Sequence, residues 1–257
     1  MDAPAAVKTF KYNHWLPYWA VFQMDLRQTA RSWVFRVWVL AAVLLGSGYL
    51  LHRWAIHEQA GITQSAATLM TQVVQLGVLA GTALVIVLTA GAISSERGVL
   101  ADSVLSRGIS RYQYFLGKLH ARLTLILGSF VFIGVGLLVA SSLLLTRDLS
   151  ILGSLLALVV AAAILGIIVA CGVTISSFCN SSLLATALLL IGAYGVGVGL
   201  WFLEYGQFNP QRLNRMLPNV LAGQFDFGVQ LKLVGWCALF GFAASIVGLV
   251  HFARRDV

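Results

Sequence analysis

The sequence predicts an all-α, polytopic membrane protein of about six transmembrane helices, preceded by an amphipathic interfacial helix. Hydrophobic residues make up 59% of its 257 positions and charged residues only 10%, which leaves too little polar surface for a soluble fold. The apolar residues gather in runs of about twenty, long enough to cross the hydrocarbon core as helices. Leu, Ala, Val and Gly dominate these runs without the alternation of β-barrel strands, so each run must satisfy its own backbone as a helix.

The predicted elements form a single transmembrane domain that covers residues 1–257. A cytoplasmic tail and the interfacial helix occupy residues 1–32, and a bundle of about six spans occupies residues 33–252. A cytoplasmic loop at residues 94–122 separates the second span from the third. The predicted spans are Trp33–Leu51, Met70–Ile93, Leu123–Leu145, Ile151–Val173, Leu183–Leu203 and Leu233–Phe252.

The positions of lysine and arginine predict how the bundle lies in the membrane. With the N-terminus inside, 12 of the 17 lysine and arginine residues fall in cytoplasmic segments, so the positive-inside rule places both termini in the cytoplasm. These residues flank apolar runs and form no block, and the net charge of +8 therefore suits anionic lipid headgroups rather than nucleic acid. The N-terminus lacks the pattern of a secretory signal peptide. We expect a multi-pass protein of the cell membrane, the inner membrane of a bacterium.

An amphipathic helix precedes the first span. At about 100° per residue its aromatic and apolar side chains share one face, and basic residues lie opposite. This pattern favours a helix lying in the inner leaflet, with its apolar face in the headgroup boundary. A helix packed on a cytosolic surface is the alternative. The apolar face comprises Trp15, Tyr18, Trp19, Phe22 and Leu26.

The loop at residues 94–122 is the longest and most charged inner segment. Ser95 can cap a short helix there, and Gly108 can end it. One side of this helix is apolar and its rim is charged, which is typical of a docking helix. The alternative is a set of solvated charges flanking a membrane helix, although a plain connector needs far fewer residues. The apolar side consists of Val99, Leu100, Val104 and Leu105, and the rim of Glu96, Arg97, Asp102 and Arg107.

The sequence shows no chemistry of its own. Phosphate-loop, HExxH and GxSxG patterns are absent, and the three cysteines lack metal-site spacing. The predicted spans hold almost no ionisable side chains; Arg36 and His251 lie near inner ends, where they can snorkel. We therefore expect no catalytic residue, no metal site and no cofactor in this chain, and an energy source on another protein.

The cytoplasmic loop also carries the pattern ER–G–L–LS–G–SR–GK. Its positions are Glu96, Arg97, Gly98, Leu100, Leu105, Ser106, Ile109, Ser110, Arg111, Gly117 and Lys118. Together with the interfacial helix and the layout of spans, this pattern resembles the permeases of type-2 ABC transporters, the exporter class. Gly108 stands where that family usually has Pro, and Val99 where Thr is frequent. Because Gly and Pro both end helices, we expect the same turn.

The resemblance implies that the chain is the transmembrane subunit of an ATP-driven exporter. Two copies of a cytosolic ABC ATPase would bind ATP and Mg²⁺, and a second permease copy or a homologue would complete the membrane part. Membrane lipids are further partners, and no nucleic acid is expected. The interfacial helix would be the family's elbow helix. The contact with the ATPase is assigned to Glu96, Arg97, Gly98, Val99, Leu100, Asp102, Val104, Leu105 and Arg107.

Two other functions stay open: a self-sufficient channel or carrier, and a membrane scaffold that transports nothing. A membrane enzyme is disfavoured because buried acid–base pairs are lacking. A polar stripe on the second span, formed with Thr68, either lines a translocation path or bonds neighbouring helices. The outer loop Glu204–Lys232 is expected to fold back at the interface. The candidate path residues are Gln72, Gln75, Thr82 and Thr89, and Gly192, Gly195 and Gly199 on the fifth span allow close helix packing.

Overall fold

The computed structural model describes residues 15–60, 65–96, 109–145, 148–202 and 209–254. Within these ranges the chain forms eight α-helices, one 3-10 helix and no β-strand. The α-helices are α1 (Leu16–Arg31), α2 (Trp33–Ala60), α3 (Ala66–Ala90), α4 (Arg111–Leu144), α5 (Ile151–Phe178), α6 (Ser182–Phe202), α7 (Pro210–Leu221) and α8 (Phe227–Arg254), and the 3-10 helix is Ser94–Glu96. Six of them, α2 to α6 and α8, are long and apolar enough to cross a membrane. The all-α, multi-pass membrane fold is therefore confirmed.

The third span departs most from its predicted bounds. α4 begins at Arg111 rather than at Leu123, because Ser110 and Gln113 form a capping box. Ser110 Oγ accepts from the Gln113 amide at 3.2 Å, and Gln113 Oε1 accepts from the Ser110 amide at 3.1 Å. With 34 residues the helix is about 51 Å long, well beyond a hydrocarbon core of about 30 Å. Apolar composition marked only the continuous apolar part of the helix and missed its more polar first turns.

The connection between the fourth and fifth spans is shorter than predicted. The stretch Thr174–Ser182 was expected to be a loop, but α5 continues to Phe178 and only residues 179–181 connect it to α6. Hydroxyl groups made this stretch resemble a loop, yet they bond inside the protein. Thr174 Oγ1 donates to the Ala244 carbonyl of α8 at 2.9 Å, and Ser177 Oγ donates to the Thr174 carbonyl at 2.7 Å. These bonds satisfy the polar groups and let the helix continue.

A single residue turns the chain from α1 into α2. Ser32 is extended, with ψ 139°, so it interrupts the helical path. Its hydroxyl donates to the Thr29 carbonyl at 2.7 Å and accepts from the Phe35 amide at 3.3 Å. The same side chain therefore closes one helix and caps the next, which fixes the angle between the interfacial helix and the first span.

Contacts between helix ends define two ends of the bundle. At one end, here called the base, α1 packs beside the first turns of α4, and the last turns of α3, α5 and α8 meet them. At the opposite end Asp148 Oδ1 accepts from the amides of Ala66 and Ala67 at 3.0 and 3.4 Å. These bonds attach the residues that precede α5 to the start of α3. α7 packs there against α3 and α5, with Val220 and Leu221 buried. The described part of the outer loop thus folds back onto the bundle, as predicted.

Small residues permit the closest helix contacts. A Cβ on Gly153 of α5 would overlap the Val220 carbonyl of α7, and one on Gly172 would overlap the Thr89 hydroxyl of α3. The glycines predicted to pack on the fifth span behave differently. A Cβ at any of them would meet nothing within 4 Å among the described residues, so they make no close approach to another helix of this chain. They are Gly192, Gly195 and Gly199.

Candidate functional site

The interfacial helix α1 packs along α4 through a stripe that repeats at every turn. Val21, Asp25 and Thr29 are buried on this stripe. Since the helical repeat brings positions four apart onto one face, a carboxylate lies in the middle of the contact. The sequence analysis assigned α1 an apolar face and overlooked Asp25. Its signal was present: Asp25 is an acidic residue in a helix whose other charges, Arg27 and Arg31, are basic.

The predicted apolar face of α1 is divided between protein and surroundings. Tyr18, Phe22 and Leu26 are half-buried, whereas Trp15 and Trp19 are exposed. Burial raises the pKa of the Tyr18 hydroxyl, which stays protonated and forms a hydrogen bond with His120 Nδ1 of α4 at 2.9 Å. The Trp19 ring stacks on Phe22 with centroids 5.1 Å apart. At a membrane surface these two exposed tryptophans would lie in the headgroup layer, where amphipathic rings are enriched.

Four charged residues meet beneath α1, and we call them the base cluster: Asp25, Glu96, Lys118 and Arg122. Arg122 binds Asp25 through two parallel contacts, Nε to Oδ2 at 2.9 Å and a terminal nitrogen to Oδ1 at 3.1 Å. Lys118 Nζ lies 2.6 Å from Glu96 Oε2 and 3.6 Å from Asp25 Oδ1. The side chains of Lys118 and Asp25 are only 4% and 3% exposed. Two cations and two anions therefore neutralise each other, with Glu96 and Arg122 still 18% and 11% exposed.

The two cations also complete the end of α3. Arg122 donates to the Leu88 carbonyl at 2.7 Å, and Lys118 Nζ donates to the Ala92 carbonyl at 2.7 Å. The last carbonyls of a helix have no intrahelical partner and carry the negative end of its dipole, so cations are stabilising there. Glu96 is held by a further bond, from the Tyr114 hydroxyl to Oε2 at 2.5 Å. The base cluster thus joins α1, the end of α3 and the start of α4.

The turn that leads from α3 towards residue 97 is fixed from a second side. Ser176 Oγ of α5 accepts from the amides of Ile93 and Ser94 at 2.9 and 3.0 Å. Ser94 Oγ donates to the Ala90 carbonyl at 2.9 Å. Ser95, expected to cap a following helix, donates its hydroxyl backwards to the Gly91 carbonyl at 2.5 Å. Serine side chains therefore hold this turn close to the end of α3.

The return of the chain into α4 is fixed as well. One terminal nitrogen of Arg111 donates to the Ala253 carbonyl of α8 at 3.2 Å. The Phe252 ring lies 6.0 Å from the Tyr114 ring and 6.2 Å from the Phe115 ring, measured between centroids. The described residues on both sides of the segment 97–108 are therefore bonded to the base of the bundle.

The predicted docking segment itself lies outside the described residues. Among the nine residues assigned to ATPase contact, the structure describes Glu96, which belongs to the base cluster rather than to an exposed rim. The other assignments, and the predicted stop at Gly108, stay predictions. They are Arg97, Gly98, Val99, Leu100, Asp102, Val104, Leu105 and Arg107.

The Gly-Lys pair of the loop pattern acquires two separate physical roles. A Cβ on Gly117 would lie 2.9 Å from Val21 Cγ1 and 3.3 Å from the Phe22 amide nitrogen. Only a residue without a side chain lets α1 pack this close to α4. The neighbouring Lys118 then reaches Asp25 on the same face of α1. The Gly117–Lys118 pair therefore determines how closely α1 packs on α4.

Hydrogen bonds are resolved at three residues of the polar stripe of α3, the first being Thr68, whose Oγ1 donates to Ser65 Oγ at 3.3 Å at the start of the helix. Gln72 Oε1 accepts from the Tyr49 hydroxyl of α2. Thr89 is buried against α5, and its hydroxyl donates to the Val85 carbonyl at 2.6 Å. Gln75 and Thr82 are half-buried. The Tyr49–Gln72 bond between α2 and α3 favours the helix-bonding interpretation at that position, whereas the Thr89 bond stays within α3.

Comparison with known proteins adds no further assignment, because no protein-family model and no curated protein matches this sequence. Among the described residues, no group of three His, Cys, Asp or Glu side chains could hold a metal ion. We take the base cluster as the candidate site because the described part of the chain brings these four charged residues together.

Proposed function

We propose that this chain is the transmembrane subunit of an ATP-driven ABC exporter, coupled to separate cytosolic ATPase subunits. The observation that carries the proposal is the base cluster. It links the interfacial helix, the end of the second span and the start of the third span, on both sides of the segment 97–108. A force applied to that segment would reach three helices at once.

The base cluster suits such transmission because it is stiff. Breaking a buried ion pair leaves a charge without its partner, at a cost of about 3–5 kcal/mol. Movement of the residues that flank the segment 97–108 would therefore displace α1, α3 and α4 together rather than separate them. In this mechanism ATP binding favours one arrangement of the ATPase pair, and the docked segment selects the matching arrangement of the spans.

The partners follow from the same proposal. Two ATPase copies bind ATP and Mg²⁺, and a second permease copy or a homologue completes the pathway. The base faces the cytoplasm of a bacterial cell, because the lysine and arginine positions favour that side and because ATP is there. The ATPase contacts residues 97–107, with Leu105 as a central anchor of the apolar side.

Co-purification tests this function. A chain extracted in mild detergent is expected to retain an ATP-binding subunit in a one-to-one ratio. Leu105→Asp should remove that subunit and abolish transport while the six spans still insert, because a charge would enter the apolar side of the docking helix. Ser106→Asp is the matched control: it adds the same charge to the same segment, and at about 100° per residue it lies beside Asp102, outside the arc of the four apolar residues.

Three results would contradict the proposal. The first is a purified chain without any stoichiometric ATP-binding subunit, which would favour the self-sufficient channel, carrier or scaffold. The second is a Leu105→Asp variant that keeps both the subunit and transport. The third is equal loss in Leu105→Asp and Ser106→Asp, which would make the effect one of charge rather than of a docking face.

A further inference from the structure

An apolar groove of about 670 Å³ runs between α4, α5 and α8. Its space arises from side-chain size. α5 contributes small residues such as Ala163 and Gly166, whereas α4 and α8 contribute large ones such as Leu123 and Phe242. A Cβ on Gly166 would meet a single neighbour, Leu127 Cδ1, at 3.7 Å. The groove is therefore open above its small residues rather than filled by the chain.

Hydrocarbon is the natural content of this space. Water gains nothing from an apolar site that offers too few polar partners, and unfilled space forfeits the dispersion contacts of its lining. The groove lies among helices long and apolar enough to span a membrane, so lipid chains surround it. An apolar occupant of suitable length would restore the missing contacts.

The length of the groove separates a lipid chain from a partner helix. On α4 the lining runs from Leu116 to Leu127, and on α5 from Val159 to Ala170. These two stretches rise about 16 Å, and the lining of α8, from Val234 to Leu249, rises about 22 Å, so no wall of the groove covers a hydrocarbon core of about 30 Å. A second transmembrane helix would need contact across the whole core, whereas the chain of a lipid in one leaflet spans half of it.

The groove reaches towards charged groups at the base. Leu116 and Leu249 line that end, and the lining residue His120 is bonded there to Tyr18 of α1. Arg111 and Arg254 lie five residues beyond those leucines, about 7.5 Å along each helix. Arg254 is exposed and Arg111 is half-buried. Arg111 donates to the Ala253 carbonyl at 3.2 Å, which puts both arginines at the same end of the α4–α8 contact, so that end of the groove carries positive charge for a phosphate.

We propose that this groove binds one acyl chain of an anionic phospholipid in the leaflet at the base, with the phosphate near Arg111 and Arg254. The lipid would fill the seam between α4, α5 and α8 and join it to the interfacial helix. This site does not depend on the proposed transport function.

Native mass spectrometry of the full chain in mild detergent tests the acyl site, with phosphatidylglycerol as the added lipid. Gly166→Leu and Ala163→Leu both fill the groove from α5. Excluding two methylene groups should weaken lipid retention about tenfold or more, since each buried methylene contributes roughly fourfold in affinity. Gly192→Leu on α6 is the matched control, because a Cβ at that glycine meets nothing within 4 Å.

The headgroup contact has its own comparison. Arg254→Gln should lower the preference for phosphatidylglycerol over phosphatidylcholine by about fivefold, as one basic residue near anionic lipid typically contributes. Arg215→Gln, at the opposite end of the bundle, should leave that preference unchanged.

Lipid retention equal to the wild-type value in both groove-filling variants would overturn the site. So would an equal loss in Gly192→Leu, since the effect would then belong to any added bulk. Loss of self-association in the groove-filling variants, with lipid retention unchanged, would show that a second copy of the chain occupies the groove and would also refute the proposal. An unaltered headgroup preference in Arg254→Gln would remove the phosphate contact.

Discussion

Lys118 and Arg122 lie one turn apart on the same face of α4, and each makes both an ion pair and a bond to a carbonyl at the end of α3. Such residues are costly to bury unless every charge is paired. Here Asp25 and Glu96 supply the pairing, and Tyr114 donates a further bond to Glu96. Removing one charged residue of the base cluster should therefore lower the free energy of unfolding more than removing a complete ion pair.

The Asp25–Arg122 pair provides that comparison. Arg122→Met should destabilise the protein by about 3–5 kcal/mol, because Asp25 would keep a buried charge without its bidentate partner. The double variant Asp25→Leu with Arg122→Met should recover part of this loss. The measurement is the free energy of unfolding in mixed micelles. Arg215→Met on α7 is an exposed control, for which we expect a change within about 0.5 kcal/mol.

A single variant as stable as the wild type would show that the Asp25–Arg122 contact contributes little. The two groups would act through other partners if the double variant lost more unfolding free energy than the two single variants lose together.

At the scale of elements, α1 is held to the bundle by two features of different kinds. Ser32 sets the corner between α1 and α2, and Gly117 allows α1 to approach α4. The first feature fixes an angle and the second fixes a distance. Together they place Asp25 within reach of the cations of α4.

Gly117→Leu should displace α1 from α4, because even a Cβ there would overlap Val21 Cγ1. Cysteine substitutions at Tyr18 and His120, whose polar atoms lie 2.9 Å apart, report the contact through a short bismaleimide cross-linker. We expect the cross-linking yield to fall several-fold in Gly117→Leu. Gly128→Leu, on the same helix, has nothing within 4 Å of its added Cβ and should leave the yield intact. An unchanged yield with Leu at position 117 would mean that α1 tolerates the bulk by a local adjustment.

At the scale of the whole molecule, the helix contacts place α1, the start of α4 and the end of α8 at one end, and α7 at the other. Neither hydropathy nor helix contacts show which end of the bundle faces the cytoplasm, because neither depends on the side of the membrane. The excess of basic residues at the base predicts that this end is the cytoplasmic one.

Cysteine labelling in intact cells tests the orientation. In a background with Cys171, Cys179 and Cys237 replaced, Asn214→Cys on α7 should react with an impermeant maleimide, whereas Tyr112→Cys at the base should react only after the membrane is opened. Both native residues are exposed, so accessibility within the fold is comparable. Labelling at position 112 in intact cells would reverse the topology and, with it, the cytoplasmic position of the docking segment.

The sequence by itself determined the fold class and the number of membrane-spanning helices, because apolar runs of that length allow no other backbone arrangement in lipid. It also placed α1 before the first span and located the charged loop. It did not determine where α4 begins, since the first turns of that helix are polar and leave no apolar signal. The capping box at Ser110 and Gln113 was the overlooked local cue.

Only the tertiary structure decided what the charges of the base do. From the sequence, Lys118 and Arg122 were counted as topology signals, and Asp25 was not singled out. The structure buries these residues with Glu96 in one cluster, although Asp25 and Arg122 are 97 residues apart along the chain. Sequence periodicity reports which side of a helix a residue occupies, but not which helix it faces. The pairing follows from how closely α1 seats on α4, and that distance is set by a glycine whose role appears only when the two helices meet.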